Sequence, residues 1–152
     1  MVSLERAANF LQLSLRALWQ PVTFGVRAFV ENEAGEVALV RHSYAGGWHL
    51  PGGGVDRHER PDLAAVREAR EEIGLKTSMP PEFFGLYSQR VGWIDNVIAL
   101  YRLRGAAIVF EKSLEIREMQ WADIARPPQG TTLATARRLA EHSGKVAISP
   151  IW

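Results

Sequence analysis

Cysteine is absent from the 152-residue chain, which excludes a disulfide framework, a zinc–thiolate site and a thiol nucleophile. An excess of one charge is also missing, because 18 Lys and Arg residues face 17 Asp and Glu residues, for a formal net charge of +1 at pH 7. This balance argues against a broad surface for duplex nucleic acid, although a small anion held by a few local charges is compatible with it. Long apolar runs are lacking as well, so we expect no membrane span, and the absence of cysteine fits a cytoplasmic protein.

The first twenty residues have a helical pattern. Apolar residues recur at helical spacing from Leu4 to Trp19, and Pro21 ends the run. We predict an amphipathic helix over residues 4–19 that covers an edge or a face of the core. A membrane-surface contact or a contact with a second copy of the chain is the alternative, so a homodimer stays open. The length fits a single domain over residues 1–152, with the helix segment (1–20) ahead of a core at 21–152.

The rest of the chain alternates strand and helix patterns. A turn signal at residues 32–35 lies between two strand patterns and predicts a hairpin. Helices are predicted at 61–73 and from a Thr131 or Thr132 cap to about His142. Strands are predicted at 22–31, 36–42, 48–50 and about 83–91, 95–104, 107–111 and 115–121. This order predicts an α/β fold with a mixed sheet between helices.

The helix predicted at 61–73 has an apolar face and an acidic face. At about 100° per residue, Glu68, Glu71 and Glu72 share one sector. Like charges at this spacing destabilise an isolated helix by about 0.2–0.5 kcal/mol per pair, and Arg67 offsets only part of this cost. A solvated acidic face is the ordinary interpretation, but here the glutamates follow a triple-glycine turn whose backbone can approach a ligand closely. Oxygen ligands grouped in this way favour Mg²⁺ or Mn²⁺, which commonly share their coordination with substrate phosphates.

The spacing of these residues matches a known motif. The stretch Gly53-x5-Glu59-x7-Arg67-Glu68-Ala69-x-Glu71-Glu72-x-Gly74-Leu75 fills every fixed position of the Nudix box. The chain therefore resembles the Nudix hydrolase (MutT-like) family, over roughly residues 20–142 when the flanking strands are included. The resemblance implies an α/β/α sandwich with a mixed β-sheet. It also implies a metal-dependent pyrophosphohydrolase, in which water attacks phosphorus in a nucleoside diphosphate linked to another moiety.

The resemblance implies roles for the residues at the motif positions. Glu68, Glu71 and Glu72 would bind Mg²⁺ or Mn²⁺ together with the carbonyl of Gly53 or Gly52, and Glu68 would serve as the base or position it. Glu59 would bind metal through water or support the loop, and Arg67 would orient the glutamates as part of the catalytic group. A further catalytic glutamate from outside the box is expected in this family. The candidates are Glu111, Glu115 and Glu118, of which the segment around Glu115 is the most similar, with a solvated loop carboxylate as the alternative.

Residues outside the box are the candidates for substrate binding. Arg27 could meet a phosphate bidentately or form a cross-strand ion pair. Tyr87 and Trp93, and also Tyr44, could stack on a base, although aromatic residues in strands more often serve packing. Three histidines, His42, His49 and His58, could assist proton transfer or be structural.

The substrate class itself stays open. No coenzyme A or NADH signature accompanies the box, and Val91 stands where ADP-ribose-directed members carry a proline. We expect a small nucleotide-type substrate. A non-catalytic nucleotide sensor is one alternative, but such domains usually lose box glutamates, which this chain retains. An RNA 5′-end pyrophosphohydrolase is another, which the near-neutral charge disfavours.

Overall fold

The structure is a computed structural model that describes residues 11, 12, 14, 15 and 22–152. Residues 11, 12, 14 and 15 are helical, and the rest of the predicted N-terminal helix lies outside the described residues. No helix among the described residues is long and apolar enough to cross a membrane. The elements from residue 22 onwards are β1 (Val22–Val30), β2 (Val37–His42), α1 (Pro61–Ile73), β3 (Leu75–Thr77), β4 (Glu82–Val91), β5 (Ile94–Leu103), β6 (Ala107–Ile108), β7 (Ile116–Ala122) and α2 (Leu133–His142).

The strands form one mixed sheet and two strand pairs. In the three-stranded sheet the order is β1-β5-β4. Strand β1 runs parallel to β5, with Val22 opposite Asp95 and Val30 opposite Leu103, whereas β4 is antiparallel to β5. The pairs β2–β7 and β3–β6 are both antiparallel. The predicted mixed sheet is therefore confirmed.

The second half of strand β1, from Val26 to Val30, is buried on both faces and separates the two helices. Val26 packs in a cluster with Ala64 and Ala65 of α1. Phe29 points to the other face, since side chains alternate along a strand, and it clusters with Leu139 of α2. The sheet thus lies between helices, as the order of the elements predicts.

Helix α1 has the bounds that the sequence predicts. Pro61 occupies the first turn together with Asp62, which suits the positive end of the helix dipole. Gly74 ends the helix in the left-handed conformation with φ 67°, and its backbone N–H donates to the carbonyls of Ala69 and Arg70. The chain then enters β3 directly, so the acidic helix is held at both ends.

The hairpin predicted between the first two strands is wrong. The turn itself forms, because Gly35 N–H donates to the Asn32 carbonyl at 3.1 Å. Beyond a single bridge between Glu31 and Val37, however, β1 pairs with β5 and β2 pairs with β7. The sequence also did not predict β3, and the strand expected at 107–111 is confined to Ala107–Ile108.

Candidate active site

The glycine-rich loop lies directly against β1. Val26 N–H donates to the Gly53 carbonyl and Ala28 N–H to the Pro51 carbonyl, both at 2.9 Å. Gly52 has φ 142°, and a Cβ there would lie 2.2 Å from the Val26 carbonyl oxygen. Only glycine allows this close approach, which brings the loop backbone to the acidic face of α1.

The Arg67 guanidinium is the centre of the acidic cluster. Its Nε and Nη2 donate to the two carboxylate oxygens of Glu59 at 2.8 and 2.9 Å. Its Nη1 donates to Glu68 at 2.8 Å and to Glu71 at 3.3 Å, and Nη2 also reaches the Gly54 carbonyl at 2.9 Å. These hydrogen bonds lower the pKa of Glu59 to about 2. One cation therefore fixes three carboxylates and the loop relative to one another.

The box glutamates differ in burial. The side chain of Glu71 is 60% exposed, whereas Glu72 is 5% exposed and its Oε2 accepts a 2.9 Å hydrogen bond from Gly52 N–H. Burial raises the pKa of Glu72 to about 7 despite that hydrogen bond. Burial also raises the pKa of Glu68. Its carboxylate lies against Gly53, since a Cβ added at Gly53 would be only 2.7 Å from the carboxylate atoms. Glu68 and Glu72 therefore face the loop, and Glu71 faces solvent.

Glu115 joins this cluster from outside the box. Next to the β2–β7 pair, the Ser43 N–H donates to the Glu115 carbonyl at 2.8 Å. Because Ser43 directly follows His42, this hydrogen bond places Glu115 beside His42. The Tyr44 hydroxyl donates to Glu115 Oε1 at 3.2 Å. In contrast, Glu118 lies 3.6 Å from Arg41 on the opposing strand. Of the candidate glutamates, Glu115 is the one that the structure places near Glu72.

The donors gathered here fit a divalent cation. Glu68 and Glu72 bring carboxylate oxygens to the loop, and Arg67 links Glu71 to Glu68; oxygen ligands of this kind suit Mg²⁺ and Mn²⁺. Among the described residues, ligand atoms of His42, Glu72 and Glu115 lie within 4.8 Å of one another. The Gly53 carbonyl already accepts a hydrogen bond from Val26, but a carbonyl oxygen has two lone pairs and can accept a second partner.

Two adjoining clefts open beside the cluster. One, of about 290 Å³, is lined by Gly53 and Gly54, and the other, of about 310 Å³, reaches the beginning of α2. Both are lined by Arg27, Gln89 and Trp152. Their sizes approach those of small-molecule sites, and their polar and aromatic lining suits a nucleotide.

The three residues predicted to bind substrate have different surroundings. Arg27 Nη1 donates to the carbonyls of Leu50 and Gly52 at 2.9 and 2.8 Å, so its guanidinium braces the loop as well as lining the clefts. Tyr87 is 1% exposed and its hydroxyl donates to Glu141 at 3.0 Å inside the core. Trp93 is 75% exposed where β4 turns into β5. Arg27 is thus within reach of a substrate in the clefts, whereas the Tyr87 side chain is enclosed in the core.

The sequence did not single out Trp152 or Gln89. Trp152 reaches the clefts because its segment runs along β4, with Trp152 N–H donating to the Ser88 carbonyl at 3.0 Å. Arg138, which is fully buried, donates to the Ile151 carbonyl at 2.9 Å and holds the segment in place. No local pattern predicts this path, since the contacts join distant parts of the chain.

The comparisons with known proteins agree with this architecture. A family model described as NUDIX domain matches residues 21–142. The chain is similar to CMP-5′-(N-acetyl-N-hydroxy-3-aminopropyl)phosphonate hydrolase of Streptomyces rubellomurinus, with 30% identity over an alignment of 119 residues that covers 70% of this chain and 57% of that protein. It is also similar to an RNA pyrophosphohydrolase of Hahella chejuensis, 36% identical over 63 residues, which are 41% of this chain and 37% of that protein. The chain thus spans less than two thirds of the length of these relatives.

A solved structure shows the same fold. The MutT NUDIX hydrolase from Burkholderia pseudomallei aligns with a TM-score of 0.69 at 23% identity, over 79% of this chain and 97% of that one. The NUDIX match includes the glycine loop, α1 and the glutamates that Arg67 connects. On this evidence, the chain belongs to the Nudix hydrolase family.

Proposed function

We propose that the protein hydrolyses a diphosphate linkage in a nucleotide derivative, with Mg²⁺ or Mn²⁺ held by Glu68, Glu71 and Glu72. The observation that carries this proposal is the position of Glu72 at the Gly52 N–H and of Glu68 against Gly53, with Arg67 bridging Glu68 and Glu71. A site of this kind suits a diphosphate, because cations neutralise the charge of phosphate oxygens.

The side chains have distinct proposed roles. The bound cation would neutralise the diphosphate and make water a better nucleophile. Glu68 would serve as the base for the attacking water or position it, because its carboxylate lies against Gly53 at the loop. Arg67 and Glu59 would position the carboxylates, and Glu115 would add a carboxylate from outside the box.

The two clefts are the proposed substrate site. Arg27 would contact a phosphate, Trp152 would stack on the base, and the Gln89 amide would hydrogen-bond its edge. The Streptomyces relative, by its name, hydrolyses a CMP-linked phosphonate, which supports a substrate with a nucleoside monophosphate group. The name of the Hahella relative favours an RNA 5′ end as the second candidate. The cytoplasmic location and the homodimer stay predictions.

A substrate panel tests the proposed function. The protein would be incubated with Mg²⁺ or Mn²⁺ and nucleoside triphosphates, dinucleoside polyphosphates, nucleotide sugars and a short 5′-triphosphate RNA. We expect metal-dependent turnover of at least one nucleotide derivative. Absence of turnover throughout, with tight nucleotide binding in EDTA, would instead support a sensor.

Glutamine variants test the assignment of the ligands. Glu71→Gln and Glu72→Gln should each lower turnover about 100-fold or more. Replacing residues that only hydrogen-bond to metal ligands already lowers metal affinity or activity about 10–100-fold. Circular dichroism should show that the fold survives. Glu33→Gln, in the exposed turn between β1 and β2, is the matched control. Activity of Glu71→Gln and Glu72→Gln equal to that of the control would contradict the assignment.

A further inference from the structure

The His42 imidazole lies at the end of β2 and is only 5% exposed. Neither of its ring nitrogens has a hydrogen-bond partner among the described residues. A neutral imidazole carries one donor and one acceptor, and buried polar groups of native proteins are nearly always paired. The unpaired nitrogens of His42 therefore require an explanation.

The surroundings of His42 point to a cation. Its Nδ1 lies 3.9 Å from Glu72 Oε1, which is too long for a hydrogen bond. A metal ion with bonds of about 2.0–2.2 Å to nitrogen and oxygen can separate two ligand atoms by up to about 4.2 Å. The distance between His42 and Glu72 is thus within the reach of one ion, whereas it is too long for a direct hydrogen bond.

Glu115 is the third residue close to His42 and Glu72. Its carboxylate lies within 4.8 Å of the ligand atoms of His42 and Glu72. The Tyr44 hydroxyl holds the Glu115 carboxylate at 3.2 Å, and the Tyr44 ring lies 5.0 Å from the His42 ring. His42 and Glu115 both come from outside the Nudix box, so the box glutamates alone do not predict this group.

We propose that His42, Glu72 and Glu115 form a mixed nitrogen–oxygen site that binds a divalent transition-metal ion in preference to Mg²⁺. The inference rests on the proposed function, because Glu72 and Glu115 belong to the same site. Imidazole is a good ligand for transition metals, whereas Mg²⁺ prefers carboxylates and water. The site would therefore discriminate between Mg²⁺ and ions such as Co²⁺ through one nitrogen ligand.

Electron spin-echo spectroscopy of the metal-free protein loaded with one equivalent of Mn²⁺ tests nitrogen ligation without any substrate. We expect ¹⁴N modulation from an imidazole in the unsubstituted protein and its loss in His42→Gln. The control is His49→Gln, whose ring lies 5.4 Å from that of His42 but whose Nε2 is already bonded to the Gly46 carbonyl at 2.8 Å. This control should keep the modulation.

Competition for the bound Mn²⁺ tests selectivity. Co²⁺ should displace Mn²⁺ at a lower concentration than Mg²⁺ does. In His42→Gln the ratio of the Mg²⁺ concentration to the Co²⁺ concentration needed for displacement should fall about tenfold or more. Absence of ¹⁴N modulation in the unsubstituted protein would overturn the proposal. Modulation that persists in His42→Gln, or an unchanged Co²⁺ to Mg²⁺ ratio, would overturn it as well.

Two further measurements keep the test decisive. If His42→Gln does not fold, the double variant His49→Gln/His58→Gln replaces it. Modulation that persists in this variant supports His42, since His142 is engaged with Glu31 at 2.6 Å, and its loss overturns the proposal. Turnover in the substrate panel is measured separately with Mg²⁺, so a protein that ligates Mn²⁺ through His42 but hydrolyses nothing would contradict the proposed function and leave the metal site intact.

Discussion

Arg67 explains how a single helix face can carry so many carboxylates. Isolated, the glutamates at positions 68, 71 and 72 would repel one another. In the structure, the planar guanidinium divides its donors between Glu59, Glu68 and Glu71, while Glu72 is held by the loop backbone. A lysine has no fork of this shape, so the fixed arginine of the motif has a geometric reason.

Trp152 is a testable part of the proposed substrate site. Replacing it with alanine removes the aromatic wall that both clefts share. If the base stacks on the indole, Trp152→Ala should raise KM about tenfold or more, because stacking on an aromatic side chain contributes about 1–3 kcal/mol per base. The kcat should stay within about threefold, since the carboxylates are untouched. Steady-state kinetics on the best nucleotide of the panel gives both constants.

Two controls separate stacking from a structural effect of Trp152. Ile151→Ala changes the neighbouring side chain, which is 53% exposed, and should leave KM unchanged. Trp152→Phe should restore most of the affinity because it retains a ring. A KM for Trp152→Ala equal to that for Ile151→Ala would show that the indole does not contact the base.

The sequence predicts individual site residues only as far as local spacing reaches. Helical periodicity places Glu68, Glu71 and Glu72 on one face, and in the structure Glu68 and Glu72 lie against the glycine loop. The periodicity does not reveal that Glu72 is buried while Glu71 is exposed, because this difference arises from the loop that covers one end of the face. Trp152 is further out of reach, since its position depends on contacts with β4 and α2.

Gly74 joins α1 to β3, and a Cβ there would lie 1.9 Å from the Val109 carbonyl oxygen. Gly74→Ala should lower the free energy of unfolding by about 3 kcal/mol or more, because it combines a positive φ with a backbone clash. Gly35→Ala is the control, with φ 78° but nothing within 4 Å of the added atom, and should cost about 1 kcal/mol.

Urea unfolding of both glycine variants gives the comparison. Equal losses in Gly74→Ala and Gly35→Ala would mean that the segment at Val109 moves aside easily. The difference between them matters for the site, because α1 carries the glutamates and Gly74 fixes where the helix ends.

Elements with strong end signals are those that the sequence predicts well. Pro61 and Gly74 mark α1, and Thr132 caps α2, so both helices have the expected bounds. The strand β3 is only three residues long and follows the helix without a separate turn. Its pairing with β6 is the reason that it forms, and such pairing leaves no periodic signal in so short a segment.

The whole molecule shows why the hairpin was predicted incorrectly. The turn signal at Asn32–Gly35 is local and correct, but a turn does not determine the partner of a strand. Strand β1 pairs in parallel with β5, which requires a long connection, and this connection contains the glycine loop and α1. Local patterns cannot predict this parallel pairing, and the pairing is what brings the glycine loop and α1 across the sheet.

Glu31 links distant parts of the molecule. It directly follows β1, and its carboxylate accepts a hydrogen bond from Arg102 Nε of β5 at 2.5 Å and lies 2.6 Å from His142 Nε2 of α2. Burial acts to raise the pKa of Glu31, but these partners outweigh it and lower the pKa below 4.5. The ionised carboxylate therefore stabilises the fold above pH 4.5, and this contribution is lost as the pH falls through the lowered pKa.

Glu31→Gln should accordingly lower the free energy of unfolding by about 2 kcal/mol at pH 7, because hydrogen bonds to a charged group contribute about 1.5–3 kcal/mol. The difference from the unsubstituted protein should shrink when urea unfolding is repeated at successively lower pH below 4.5, since Glu31 binds its proton in the unfolded chain before it does so in the folded protein. Glu33→Gln, in the exposed turn, should differ little at any of these pH values. A difference for Glu31→Gln that stays constant or widens on acidification would show that the link between β1, β5 and α2 depends on packing and not on the charge of Glu31.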